Sequence, residues 1–473
     1  MTRRDLLQGS AIAFAVRKLA CGIPSLHEEQ GAEAILSRTK VPRFPERDFD
    51  VTHFGAAGDG QKKSTEAIRK AIQACSAAGG GRVVIPSGGF LTGAIHLESN
   101  VNLYVSSGAI LLFSRDPKDY LPVVFTRFES TECMNYSPFI YAFEKQNVAI
   151  TGPGTLDGQA DADHWWPWAR RARGGAIREK APGDSDVKTL VEKMGNNDVP
   201  VEKRVFGEGH LLRPNFVQPY RCTNVLFDGF TMKNSPMWEL NPVLCRNVTV
   251  QNVTIDSHGP NNDGCDPECC RDVLIRNCSF STGDDCIAIK SGRNRDGRRV
   301  NVPCENVVIQ DCVMKDGHGG VSIGSEVSGG IRNIFVEHCR MSSPHLQRAL
   351  RIKTNSYRGG EIANIHFSNV MVGQVAESVV EVDFYYEEGE GGPFRPVVRD
   401  IFINEVTCDK SRYGIYLRGY ANAPITGVSL VRCIFNNAAQ GNFFQHVESV
   451  NVHDVEVNGK AVNPAEVKAD GKG

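Results

Sequence analysis

The sequence predicts an all-β chain, a single-domain right-handed parallel β-helix with an N-terminal capping helix, and three observations carry that prediction. A short pattern, (Asn/Asp/Gly)-(Val/Ile)-x-(Ile/Leu/Val/Phe), recurs from residue 147 to the C-terminus. Each copy alternates apolar and polar residues with period two, as in a strand with one buried face. The 47 glycines and 23 prolines are spread along 473 residues, which suits many short elements with frequent turns better than long helices.

Taken in chain order, residues 1–25 read as an export signal of twin-arginine type. Arg3 and Arg4 precede Leu6, Leu7 and the apolar stretch from Ala11 to Val16. Residues 26–49 read as a linker, 50–465 as the β-helix and 466–473 as a tail. After the turn-rich Gly55 to Gly60, apolar or small residues recur at helical spacing from Thr65 to Ala78 and stop at Gly79-Gly80-Gly81. A short amphipathic helix there would plug the open end of a β-helix. Strand-like runs follow at Arg82 to Ile85 and Asn102 to Val105. The Gly-rich turn lacks the Lys-Ser/Thr of a phosphate loop.

The repeats begin at Asn147, Asn224, Asn247, Asp272, Asn306, Asn333, Asn364, Asp400, Gly427 and Ser449. From Asn224 onward their spacing of about 22 to 36 residues is that of a solenoid or propeller. One unit cannot bury its apolar face, whereas units stacked about 4.8 Å apart join their faces into a continuous core. Six residues into successive copies stand Phe230, Val253, Cys278, Cys312, Cys339, Val370, Val406 and Cys433, an expected internal column. Cys265, Cys269, Cys270, Cys286 and Cys304 fall outside it, and one local disulfide among them is expected in an exported chain. Residues 158–214 interrupt the repeat with Trp165, Trp166 and Trp168, then Arg170, Arg171, Arg173, Arg178 and Lys180, and a charged helical piece from Val187 to Met194. An insertion between coils is expected to form a loop on the binding face.

Lys plus Arg number 53 and Asp plus Glu 55, a formal net charge of −2, so no global positive field invites nucleic acid or anionic lipid. No apolar run reaches the ~18 residues of a membrane span. Chemistry-bearing residues gather instead on consecutive coils. Asp263 and Asp266 follow the repeat at Asn247, Asp284 and Asp285 the one at Asp272, His318 the one at Asn306, and Arg351 and Lys353 the one at Asn333. Like charges this close raise one another's proton affinity, so one carboxyl can act as general acid while others stay ionised as base. Clustered carboxylates also suit calcium, but neighbouring cations oppose a metal and welcome an anionic sugar. No metal or other cofactor is expected.

Asn262-Asp263-Gly264-x-Asp266, Gly283-Asp284-Asp285, Gly317-His318-Gly319 and Arg351-Ile352-Lys353, in that order, resemble the four motifs of the pectin-degrading polygalacturonase family, glycoside hydrolase family 28. The resemblance spans roughly residues 50 to 465, and one departure is Asn262, where many members have Thr. It implies hydrolysis of a galacturonate-containing pectic polymer with inversion. Asp284 would be the general acid, and Asp263 and Asp285 would hold and deprotonate the attacking water. His318 would help keep the acid protonated, and Arg351 and Lys353 would grip the sugar carboxylate. A family tyrosine falls on Tyr386, with Tyr385 the alternative if the strand continues. Rhamnogalacturonan hydrolysis and the calcium-dependent elimination of a pectate lyase are competing readings, with a non-catalytic adhesin a third. Exo action is expected if 158–214 covers one end of the groove, holding a terminal uronate on Arg170, Arg171 or Arg173, and the Arg-rich link 292–303 forms the opposite wall. The sequence is silent on oligomeric state.

Overall fold

The computed structural model describes residues 31–169 and 187–463. The signal, the tail, Arg170, Arg171, Arg173, Arg178 and Lys180 lie outside the described residues. The chain winds as a right-handed parallel β-helix in which each coil pairs in register with the next. Val225, Val248, Val273, Val307, Ile334, Ile365, Ile401, Val428 and Val450 stack as one row.

The repeat's leading residue has a backbone reason. Asn147, Asn224, Asn247, Asp272, Asn306, Asn333, Asn364 and Asp400 all adopt φ between 52° and 59°, the left-handed bend that Asn and Asp tolerate best. Their side chains also bond along the axis. Asn224 donates to Asn147 at 2.8 Å, Asn247 to Asn224 at 2.7 Å, and Asn333 to Asn306 and Asn364 to Asn333 at 2.9 Å.

The sixth-position column is buried throughout, none of its members more than 2% exposed. Its thiols act as small donors, Cys278 to Arg276 O and Cys312 to Gln310 O at 3.2 Å. The expected local disulfide does not form, since all fourteen described cysteines are free. Cys245 and Cys270 instead repeat the same arrangement in a second column, each donating to the carbonyl two residues earlier, at 3.3 and 3.4 Å. A thiol so held points along its own coil.

The capping helix is α2 (Thr65–Ala77), with Ile68, Ala71, Ile72 and Cys75 over the first coils. Gly80 follows it at φ +110°, where a Cβ would lie 2.6 Å from Asn100 O. Within the stretch read as a linker lies α1 (Ala32–Arg38), whose Ile35 packs on Leu274, Val308 and Phe335. Arg38 bonds Asp272 at 2.8 Å and Lys40 N donates to Asn247, tying this strap to the coils' outer face. No helix of the described residues is long and apolar enough to cross a membrane.

Candidate active site

Short parallel strands at Ile287–Ile289, Val321–Ile323, Arg348–Lys353 and Ser378–Asp383 form the floor of a groove. Their alternation sets each side chain's direction. Ile287, Val321, Leu350, Ile352 and Val380 enter the core, which leaves Lys290, Arg351, Lys353 and Glu381 on the groove side. Asp284 and Asp285 sit in the turn just before Ile287. Gly319 keeps space above them, because a Cβ there would lie 2.2 Å from Ser322 Oγ and 2.9 Å from Asp285 Oδ1.

The structure brings together all the carboxylates, the imidazole and the cations expected from the sequence. One oxygen from each of Asp263, Asp284 and Asp285 lies within 4.8 Å of the other two. His318 Nδ1 is 2.9 Å from Asp284 Oδ1, and Lys353 Nζ donates to Asp285 Oδ2 at 2.6 Å, with Arg351 Nη1 3.6 Å from Asp285 Oδ1. The Tyr386 ring lies 5.4 Å from the Arg351 guanidinium and 5.3 Å from Lys353 Nζ. Tyr385 turns away to Arg418 and Tyr420, which resolves that alternative. Asn262 is wholly buried. Its oxygen accepts from Gly259 N and Ser257 Oγ, and its nitrogen donates to Ser235 O and Met237 O, so here the departure from Thr anchors the loop that presents Asp263.

Electrostatics divides the carboxylates. Burial and then Asp266 and Asp284 push Asp263 well above the usual carboxylate range, and burial does the same to Asp266 despite Lys290. Burial also opposes ionisation of Asp285, but Lys353 and Arg351 overcome it and hold that carboxyl low. Asp284 is likewise lowered: burial raises it, and the hydrogen bond and charge of His318 outweigh burial. His318 is raised in return by that hydrogen bond. The two shifts run in opposite directions, favouring ionised Asp284 and charged His318 as a hydrogen-bonded pair.

Several members of the site lack a sequence motif. Lys290, buried over the Trp238 ring at 4.5 Å, lies 3.7 Å from Asp263, 3.6 Å from Asp266 and 3.4 Å from Glu326. Period-two alternation from Ile287 does place it on the groove side, the one signal that could have found it. Arg213 donates to Pro236 O, Pro260 O and Asn261 Oδ1, clamping the loop before Asp263, and burial lowers its guanidinium to about 10.

The walls also differ from expectation. An antiparallel hairpin, Val124–Phe128 with Thr131–Asn135, reaches across the strands. Thr126 bonds Gln218, Arg127 pairs with Glu268, and Tyr220 donates to Glu132. The insertion packs against it through α3 (Val187–Asn196), whose Val191 joins Phe128, Phe206, Met237 and Trp238 in a small separate core. Trp165 is buried on Tyr120 and Phe139, and Trp166 Nε1 donates to Ser235 O. The link 292–303 contains α4 (Asn294–Val300), and it does not stand opposite. Arg204 of the insertion pairs with Asp296 at 2.8 Å and Arg293 with Glu192 at 2.8 Å, so hairpin, α3 and α4 form one wall.

Comparison with known proteins gives the same picture. The profile "Glycosyl hydrolases family 28" matches residues 205–461, and "Rhamnogalacturonase A/epimerase, pectate lyase-like" matches residues 49–109. A probable polygalacturonase of Vitis vinifera is 27% identical over 405 residues, 82% of this chain and 74% of that protein. An endo-polygalacturonase of Pectobacterium carotovorum is 28% identical over 362 residues, 73% of this chain and 77% of that protein. The crystal structure of a hyperthermoactive exopolygalacturonase from Thermotoga maritima superposes with a TM-score of 0.86 at 42% identity, covering 91% of this chain and 96% of that one. With four ordered motifs meeting in one groove and the profile covering more than half the chain, this protein belongs to glycosyl hydrolases family 28 and is a glycoside hydrolase.

Proposed function

We propose that this enzyme is an exported, inverting polygalacturonase that removes sugars from the end of galacturonate-containing pectic chains. The observation that carries the reading is the convergence of Asp263, Asp284 and Asp285 between an imidazole on one side and Arg351 and Lys353 on the other. The cations suit the carboxylate of a uronate at the cleaved bond, Arg351 as a fork and Lys353 as a point charge. Water attacks the anomeric carbon and gives its proton to Asp285, which the cations keep ionised. The bond to the leaving oxygen breaks as that oxygen takes the proton held by the His318–Asp284 pair, delivered through Asp284. Asp263 completes the water's other side.

Because one oxygen from each of the three carboxylates lies within 4.8 Å of the other two, retention stands as a second reading. Exposure argues for inversion. The side chains of Asp285 and Asp263 are 0% and 4% exposed against 18% for Asp284, so the first two reach a sugar through water rather than as nucleophiles. Proton NMR of the first product decides: the β anomer supports inversion and the α anomer overturns it.

Exo action is supported by the single wall of hairpin, α3 and α4 over the strands, and polygalacturonate viscosity that stays nearly constant while mono- or disaccharide accumulates is the expected result. A rapid collapse of viscosity would overturn it. Product analysis on rhamnogalacturonan oligomers separates that substrate class, and an ultraviolet-absorbing unsaturated product would indicate a lyase. Lys353 and Arg351 set their positive charges beside Asp285 and oppose a bound cation there, so EDTA is expected to leave the rate unchanged. Cell fractionation tests export.

A further inference from the structure

A second cationic site lies where the catalytic strands end. Past Glu268 the chain leaves the groove, and Cys269, Arg271 and their neighbours on adjoining coils enclose a cleft of about 430 Å³. Arg221, Arg246 and Arg332 join Arg271 around it, and Leu244, Val302 and Pro303 supply a half-buried apolar floor. The 124–135 hairpin separates it from the catalytic carboxylates, because the buried Arg127–Glu268 pair stands between Asp266 and Cys269.

The row is built by the repeat. Arg246, Arg271, Glu305 and Arg332 occupy one register position on four consecutive coils, so their side chains leave the surface at steps of about 4.8 Å. Glu305 neutralises two of them, at 2.6 Å from Arg332 and 3.6 Å from Arg271. Arg221 pairs with Glu144 at 3.2 Å, and its guanidinium also lies over Phe125 and Phe143, at 5.4 and 5.9 Å. Arg246 is exposed, stands between Arg221 and Arg271, and has no carboxylate partner among the described residues. In a chain of net charge −2 such a concentration of arginine is not a by-product of overall basicity. Cations beside a small apolar floor suit a ring with one apolar face and a carboxylate at its edge.

We propose that this cleft is a second, non-catalytic site for a uronate oligosaccharide, with Arg246 as the fork that takes its carboxylate. The identity of the ligand rests on the polygalacturonase reading. The site would hold the anionic polymer on the enzyme while the groove works at the chain end, which raises the effective substrate concentration.

The test uses the full chain carrying Asp284→Asn, with trigalacturonate as probe and calorimetric stoichiometry as readout. Two oligomers are expected per Asp284→Asn chain and one after Arg246→Glu is added, with Arg246→Lys restoring part of the second. Arg246→Glu alone should turn over trigalacturonate within about twofold of the parent while its KM on long polygalacturonate rises by about tenfold. Arg246 makes no ion pair among the described residues, so its replacement breaks none there. An equal stoichiometry in both proteins overturns the cleft and leaves the polygalacturonase reading intact. One salt-sensitive oligomer that is lost with Arg246→Glu, in an enzyme whose parent does not cleave trigalacturonate, supports the cleft and sinks the polygalacturonase reading. A change in solution mass by light scattering with unchanged stoichiometry would assign the cleft to a second copy of the chain and overturn the proposal.

Discussion

Inside the coils, Val248, Val273, Val307 and Ile334 meet others of their kind above and below, and any residue of similar bulk serves that position. Over the groove the rule reverses: Arg293 alone reaches Glu129, Glu192, Glu326 and Glu387, at 3.0, 2.8, 3.4 and 3.5 Å, from four separate segments. The interior is stabilised by area removed from water, which is additive and tolerant. The wall depends on charges taken out of water, which hold only as a complete set. The difference teaches that stability and activity are carried by different faces of the same coils and should separate under mutation.

The largest separation is expected at the acid. Asp284→Asn should lower kcat by ~10² to 10⁴ with unchanged circular dichroism and melting, because an amide of the same size cannot deliver a proton. Retention of a tenth of the activity would remove Asp284 from that role. Next is Lys353→Met, which keeps the stem and deletes the charge. The kcat/KM on galacturonate oligomers should fall by about tenfold or more. Because Lys353 is a principal reason Asp285 stays ionised, its loss raises that carboxyl, and the acid limb of the pH–rate profile should move to higher pH. An unmoved limb would separate Lys353 from Asp285 in function.

The comparison itself breaks or holds on a matched pair. Ile309→Ala, in the core, should cost about 2–5 kcal/mol by denaturant midpoint and leave kcat of the folded enzyme alone. Arg293→Met should disturb the wall, measured as a faster fall in polygalacturonate viscosity per bond cut, while the coils stay paired by circular dichroism. If Arg293→Met unfolds the whole chain, the two faces are not separable. The smallest effect concerns Glu239, fully buried beneath Asp263, which burial first and Asp266 next push up to about 8, against the lowering effect of Ser257. The folded form keeps a proton that the unfolded chain loses near 4.5, so stability should decline as pH rises from about 4.5 to about 8. Glu239→Gln should flatten that decline, raising the melting temperature at pH 8 by a few degrees and changing it little at pH 4.5. Parallel curves for the two proteins would refute it.

What the sequence determined by itself was whatever repeats or is contiguous. The bends at Asn224, Asn247 and Asn306 are local demands of a left-handed backbone, and the valine rows and cysteine column follow from period-two burial at fixed offsets. Asp284-Asp285, His318 and Arg351-Ile352-Lys353 were legible because each motif lies in or just before the groove strand of its own coil, so stacking sets His318 level with Asp284 and brings Arg351 and Lys353 in a few residues further along. The tertiary structure decided whatever depends on segments far apart in the chain. No pattern within Val124 to Asn135 shows that Arg127 will pair with Glu268, 141 residues away, nor within 26–49 that Ile35 will lie on Leu274 and Val308. The downward shift of Asp284 against the upward shift of His318 was decided there too. It depends on the balance of burial against a bond of 2.9 Å, and both terms exist only once neighbouring coils have closed around the pair.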